Sequence, residues 1–371
     1  MLKGKLAIIG ASYLQLPLVR KAKELRLHTL CFAWAEGAVC KDEADEFYPI
    51  SIVEKEQILE VCQEKHIDGI CTIASDVAAP TVAYVAEKMG LVGNTYETAV
   101  RANNKFLMRR AFTSGGIPCP AYHRITSFEQ LDSKELQFPV IVKPTDRSGS
   151  LGITKVERQM ELQTAIETAL DCSFKHEAIV EEFIEGREIS VEFISYQGKH
   201  YPLQITDKVT TGAPHFVELE HHQPARLSAD QYSDIYDLTK KALDALGVTN
   251  GASHSEYKIT EDGRIYVMEI GARMGGDFIG SDLVQFSTGY DYLKGVIDVA
   301  LGRFTEPVFG ERHHAGVYFL CEETQNLLPI IQSASLPDVV RAEVTDESLH
   351  NVTCSADRSG YLIYQGNEMR R

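Results

Sequence analysis

The sequence of 371 residues predicts an α/β and α+β chain in three parts: an N-terminal doubly wound parallel α/β domain, a small α+β unit, and a C-terminal antiparallel sheet domain. Three observations predict it. Short apolar runs alternate with helical stretches at the start of the chain, and long strands with period-two alternation dominate from about residue 188. A sharp hairpin signal, S255-E-Y-K-I-T-E-D-G-R-I-Y-V-M-E-I270, lies among the latter. Alternating strands and helices imply a parallel sheet wound with helices, whereas consecutive alternating strands imply antiparallel pairing.

The elements follow in order. K5-L-A-I-I-G-A-S reads as strand, turn and helix start, with Pro17 early in the helix. Apolar runs at 28–33, 48–51 and 69–74 read as strands, with a helix at 53–66. This first domain is placed at 1–95, closing at the turn Gly93-Asn94. Gly10 lacks the further glycines of a dinucleotide fingerprint and reads as an ordinary turn. A helical connection over 96–117 stops at Gly115-Gly116. Residues 118–182 form the small unit: strands at 121–125, up to Lys143, at 153–156 and at 178–183, with helices near 127–136 and 158–171. Residues 183–371 carry strands at 188–196, 200–206 and 215–220, a helix at 229–246, the hairpin, and short strands beyond about 313 that offer no chemical signal.

Hydrophobic content of 44% and charged content of 24% are ordinary for a globular protein. A formal charge of −16 argues against nucleic acid or an anionic membrane as partner, since phosphate backbones need clustered Lys and Arg. The eight cysteines form no C-x-x-C pair and sit mostly in apolar runs, so they read as buried thiols of a reducing compartment. No run reaches membrane-spanning length and the first residues lack an apolar leader, so the expected location is cytoplasmic.

Three segments carry chemistry. In V142-K-P-T-D-R-S-G-S-L-G-I153 a lysine ends an apolar strand just before a Gly/Ser loop, the reverse of the order in a Walker A motif. A charge at the end of that strand needs a partner. In the hairpin, Asp262-Gly263 reads as a two-residue turn, so paired positions sum to a constant: Thr260 faces Ile265, Tyr257 faces Met268, and Glu256 faces Glu269. Two carboxylates directly opposite repel unless a cation lies between them. Hard oxygen ligands without a nearby cysteine point to Mg²⁺, against the blander reading of a solvated edge hairpin. G271-A-R-M-G-G-D277 then adds Arg273 on a glycine-rich loop, a charge set suited to a transferring phosphoryl group.

The order Lys105, Lys143 with its loop, E181-E-F-I-E-G-R-E188, Glu256, and E269-I-G-A-R-M-G-G resembles the ATP-grasp superfamily. Within it the chain looks most like carboxylate–amine ligases related to L-amino acid ligases and carbamoyl-phosphate-synthase-like proteins. The likeness extends over nearly the whole chain, I67-D-G-I-C-T-I-A-S-D76 included. It implies a fold in which the small unit is a lid, and it implies roles. Lys105 and Lys143 contact ATP phosphates, and Ser148, Gly149, Ser150 and Gly152 close over them. Glu182 and Ile184 meet the adenine edge through their backbone, Glu181 lies near its amino group, and Glu188 takes the ribose. Glu256 and Glu269 hold Mg²⁺, one ion or two, with Mn²⁺ an alternative. Arg273 and Lys208 act on the phosphoryl group and the acyl phosphate; His254, Gly275 and Gly276 border substrate.

Lys105 and Arg109, four apart on a helix, also fit a merely solvated basic stripe. His221-His222 lacks a third ligand for zinc. Many family members carry Asn two residues after the second metal-binding Glu, where this chain has Gly271, which leaves a second Mg²⁺ one ligand short. The implied reaction is ADP-forming amide or peptide synthesis from a small carboxylate and an amine, with a homodimer admitted. A bicarbonate-activating carboxylase or carbamoyl-phosphate-type enzyme and a silent nucleotide-binding regulator are the alternatives.

Overall fold

The computed structural model describes residues 3–131, 136–147, 149, 151–333 and 337–370. Ser148 and Ser150 lie outside the described residues. The N-terminal sheet is parallel throughout, ordered β3-β2-β1-β4, from β1 (Lys5–Ile9), β2 (His28–Phe32), β3 (Glu46–Tyr48) and β4 (Gly69–Cys71). Helices α1 (Leu16–Glu24), α2 (Lys55–Lys65) and α3 (Ala79–Met89) cover it. Alternate residues of β1 point to opposite faces: Ala7 and Ile9 pack with α2 and α3, Leu6 and Ile8 with α1. Both faces are therefore buried, as the near-continuous apolar run required.

The helical connection expected over 96–117 is two helices, α4 (Tyr96–Asn103) and α5 (Lys105–Ser114). Asn104 stands in the extended region and its side chain accepts the Leu107 amide at 3.0 Å, so it caps α5 and breaks the chain direction. The small sheet is antiparallel, ordered β5-β8-β6-β7: β5 (Tyr122–Ile125), β6 (Val140–Pro144), β7 (Thr154–Val156) and β8 (Ala178–Glu182). Helix α6 (Leu162–Cys172) packs Leu162, Ala165, Ile166 and Ala169 on it. The helix expected near 127–136 is only a 3₁₀ turn, Phe128–Gln130, and 132–135 lie outside the described residues.

The large sheet is antiparallel and ordered β13-β12-β9-β10-β11-β14-β16-β15. Its strands are β9 (Arg187–Tyr196), β10 (Lys199–Thr210), β11 (Glu218–Gln223), β12 (Gly251–Ile259), β13 (Ile265–Gly271), β14 (His314–Leu320), β15 (Val339–Val344) and β16 (Gly360–Gly366). Helix α7 (Ala229–Leu246) packs with α5 under one face through Ile235, Leu243, Met108 and Phe112. Its start is fixed by a capping box of Ser228 and Gln231. Helices α8 (Val284–Thr288), α9 (Tyr292–Ala300) and α10 (Leu328–Ser333) complete the chain. A core of Val19, Ile73, Met274, Leu293 and Ile297 joins the N-terminal unit to the large sheet, and Ile73 bridges to Met274 in parallel. No helix among the described residues is long and apolar enough to cross a membrane.

Candidate active site

The site is a polar row across the large sheet. In β9, Ile189, Val191 and Phe193 enter the core shared with α5 and α7, so period two turns Glu188, Ser190 and Glu192 to the other face. Across to β12, Lys258 stands opposite Glu188, Glu256 opposite Ser190 and His254 opposite Glu192. Glu269 of β13 stands directly opposite Glu256.

That facing pair is reached by a different route from the expected one. Thr260 donates its amide to Arg264 O at 2.9 Å and Gly263 donates to Thr260 O at 2.9 Å, so the loop is the three residues Glu261, Asp262 and Gly263. Only Gly263 has positive φ, +83°, the geometry of a type I turn followed by a bulge; a two-residue turn would need Asp262 there as well. Tyr257 consequently faces Val267, not Met268, and Ile259 faces Ile265. An extra residue at Met268 then shifts the register back and restores Glu256 to Glu269.

Each carboxylate carries an ammonium. Lys208 Nζ lies 2.6 Å from Glu256 Oε1 and 3.5 Å from Glu218 Oε1. Burial alone would raise the Glu256 carboxyl, but Lys208, with His254, holds it well below the usual range. Lys105 Nζ lies 3.1 Å from Glu269 Oε1 and donates to Arg147 O at 2.8 Å. Lys105, Met108, Arg109 and Phe112 are all buried, so the expected alternative of a solvated basic stripe is overturned. Met108 and Phe112 share their helical face, and the apolar packing of that face draws the two cations inward with them.

Arg109 Nε lies 2.7 Å from Glu181 Oε1, and Lys143 Nζ lies 2.8 Å from Glu181 Oε2. Burial would raise the Glu181 carboxyl; the two cations hold it at about 2. Arg109 Nη2 also donates to the carbonyl of the bulge residue Met268 at 2.7 Å, so one side chain joins α5, β8 and the bulge. Glu181 is 1% exposed and closed between these cations. Glu182 is exposed and its amide already donates to Ala121 O at 2.9 Å.

A cavity of about 140 Å³ between the small and large sheets is bordered by Lys143, Ile184, Glu188, Lys208 and Glu256. Gly149 and Gly152 lie on the loop after β6. Gly275 and Gly276 border a second cavity of about 890 Å³, between α1 and the loops after β13 and before β16. Arg273 makes a two-pronged pair with Asp76, Nε to Oδ1 at 2.8 Å and Nη2 to Oδ2 at 2.8 Å.

Sequence reasoning missed four participants. Asp76 ends the segment I67-D-G-I-C-T-I-A-S-D76, where nothing in its spacing marks it as a partner of Arg273. Glu192 follows Glu188 by four on the same strand face, so alternation alone could have found it. Glu218 begins β11, which starts later than the expected 215. Arg358 pairs with Asp277 through two bonds of 2.9 Å, and no signal marked it in the C-terminal strands.

His254 Nδ1 pairs with the fully buried Glu192 carboxylate, and its Nε2 is 3.5 Å from Glu256 Oε1. Burial would lower the imidazole, but Glu192 beside it, aided by Glu256, carries it up to about 9. A raised folded value means that this pair stabilises fully below about pH 6.5 and that the contribution disappears as pH rises through about 9. The thermal midpoint is expected to fall over pH 7–10 more steeply in the native protein than in Glu192→Gln, followed by calorimetry. Parallel curves would contradict the charged pair.

With the geometry in hand, the comparisons define a class. Residues 136–282 match the model of the ATP-grasp domain. The alanine–anticapsin ligase of Bacillus subtilis is 30% identical over 245 residues, which is 60% of this chain and 51% of that protein. The chain thus spans about half the length of the curated relatives it matches first. L-amino acid ligase from Bacillus licheniformis superposes with a TM-score of 0.81 at 24% identity, covering 99% of this chain and 94% of that one. N5-carboxyaminoimidazole synthetase from Staphylococcus aureus complexed with ADP gives 0.81 at 16%, with 99% and 94% covered. At such identities the structural likeness speaks for the fold. The structural likeness and the domain match make this an α/β protein with the ATP-grasp fold. Residues 136–282 are thus similar to the ATP-grasp domain, and the fold of the chain is that of its solved relatives.

Proposed function

We propose that the chain is an ATP-dependent, ADP-forming ligase that joins a carboxylate to an amine, with Mg²⁺ as the metal. The observation that carries this reading is the facing pair Glu256 and Glu269, each with a lysine ammonium on it, beside a cleft walled by Lys143. The donor set fits the metal: Lys208 and Lys105 stand in for a cation between carboxylates that would otherwise repel. Among the described residues no third acidic or histidine ligand joins them. Mg²⁺ suits that count, since it is held by one or two carboxylates and completed by phosphate and water. Glu256 and Glu269 would hold it, and when bound it would supply neutralisation of phosphate charge.

The chain's own residues then divide the work. Lys143, fixed by Glu181, and Lys105 meet phosphate from opposite walls. Ile184 and Glu188 border the base and ribose end. Arg273 and Lys208 stabilise charge on the transferring group. A substrate carboxylate oxygen attacks the γ-phosphorus and ADP leaves; the amine nitrogen then attacks the acyl carbon, phosphate leaves and the amine loses a proton. The cavity beside Gly275 and Gly276 accommodates the organic substrates. The cleft volume of about 140 Å³ is below the roughly 300–1,000 Å³ of small-molecule sites, so the small sheet must lift to admit a nucleotide and close again to exclude water. Sequence likeness to a ligase favours this reading over bicarbonate activation.

A phosphate-release screen with ATP, Mg²⁺ and pairs of amino acids tests it. Release that requires both a carboxylate and an amine is the expected outcome. Release that depends on bicarbonate, or nucleotide binding with no release under any pairing, would overturn it.

A further inference from the structure

Gly271 occupies the position where the resemblance anticipates a side chain. A Cβ built there would lie 2.7 Å from Asp76 Oδ1 and 3.2 Å from Arg273 Cζ and Nε. Contacts under 3.0 Å are not tolerated without a shift, so the Asp76 carboxylate holds space that any residue other than glycine needs. Its neighbours leave it little freedom. Ala74 donates its amide to Met274 O at 3.1 Å, Ile73 bridges to Met274, and Ala79 donates to Asp76 O at 3.2 Å at the start of α3. The Asp76 and Arg273 side chains are 14% and 15% exposed.

We propose that Asp76 is the positioning residue for Arg273: reaching across from the N-terminal unit, it fills the space left by Gly271 and fixes the guanidinium toward the facing glutamates. Nε and one Nη2 hydrogen are bound by Asp76, and Nη1 donates to Met274 O at 3.3 Å. Of the five N–H groups of a guanidinium, one on each terminal nitrogen is left to grip an anionic oxygen. Gly271 and Asp76 form a reciprocal pair: a side chain at one position requires a small residue at the other. The docking of the N-terminal unit thereby sets the aim of a residue on the β13 loop. The kinetic half of this inference rests on the ligase reading; the steric half does not.

The test uses the full chain in four forms: Asp76→Asn, Gly271→Ala, Gly271→Asn, and Asp76→Gly combined with Gly271→Asn. Thermal midpoint, binding of ATP with Mg²⁺, and phosphate release are measured for each. A misaimed guanidinium is expected to lower kcat about 10²-fold in Asp76→Asn, with KM for ATP within about two-fold of native, because the contact serves the transition state. Gly271→Ala, which crowds the pair without removing charge, is expected to move kcat the same way and keeps the question open to an answer should Asp76→Asn fold poorly. Gly271→Asn is expected to lower the midpoint, and the added Asp76→Gly to recover part of that loss. A purely structural pair would change midpoint and not the kcat-to-KM split, which would overturn the positioning role. An unchanged midpoint in Gly271→Asn, or damage that adds in the double variant, would overturn the steric pairing. If the native protein releases no phosphate with any substrates, the ligase reading fails, and the midpoint cycle still decides the pairing.

Discussion

Glu269→Gln is expected to lower phosphate release at least about 10³-fold and to lower the thermal midpoint only slightly. Two opposing terms meet at one atom: relief of the repulsion from Glu256, and loss of the counter-charge of the buried Lys105. In the ligand-free protein, Glu269 faces Glu256 directly across two strands, and like charges so placed destabilise a sheet by roughly 0.5 kcal/mol. Lys105 and Lys208 offset part of that repulsion. Glutamine keeps an oxygen for the Lys105 ammonium at 3.1 Å and removes the negative charge. On the proposed ligase reading the same charge would hold a phosphate-bound cation, and losing a group that meets developing charge in a preorganised site costs about 10²–10³ in rate before the metal's own contribution. Calorimetry and steady-state phosphate release on one preparation check both halves. A variant that retains a tenth of native activity would remove Glu269 from the metal site. One that unfolds would mean that the carboxylate serves the sheet more than the reaction.

The facing carboxylates were legible because period two and a turn signal propagate along a hairpin: once Glu256 and Glu269 share a face, little else is needed. The turn itself was misread. The alternation placed the strands, while the choice between a two- and a three-residue loop depended on whether Asp262 would take positive φ, a difference of local backbone energy. The extra residue at Met268 hid the error, since two register shifts cancel. The partners of Arg273, His254 and Lys143 were not legible in the same way. Asp76 lies in the turn before α3, and only the packing of the N-terminal unit against the large sheet brings it to Arg273. Glu192 and Glu181 reach His254 and Lys143 from neighbouring strands of the same sheets, so strand order, which the sequence does not spell out, decides those pairs. The basic face of α5 lies between these cases. Positions 105 and 109 fall with Met108 and Phe112 on one helical stripe, so the sequence held the evidence for burial, and it was the charge of the side chains that argued against it. That charge is tolerated because acidic partners wait on β8 and β13.

Removing the partner on β8 is expected to have the largest effect on stability in the molecule. Glu181, Arg109 and Lys143 make a buried triad with one negative and two positive charges, exposed by no more than 10% in any side chain. Glu181→Gln leaves two cations facing each other with no counter-charge, and breaking a buried ionic group in this way costs about 3–5 kcal/mol. Arg109→Gln leaves the Lys143–Glu181 pair balanced and loses mainly the donor to Met268 O, so its cost is expected to be smaller. Hydrogen exchange of the β8 amides reads the local opening directly, and protection should fall about 10²- to 10³-fold in Glu181→Gln. The pH dependence has a definite sign. The folded carboxyl of Glu181 lies at about 2, below an unfolded value near 4.3, so its contribution is complete above the latter and disappears as pH falls toward the former. Native protection should therefore drop between about pH 5 and pH 2 more steeply than that of Glu181→Gln. If Arg109→Gln proves the more damaging variant, or if the two acid profiles run parallel, the excess positive charge is not what Glu181 restrains, and the anchoring of Lys143 must come from the packing of β6 alone.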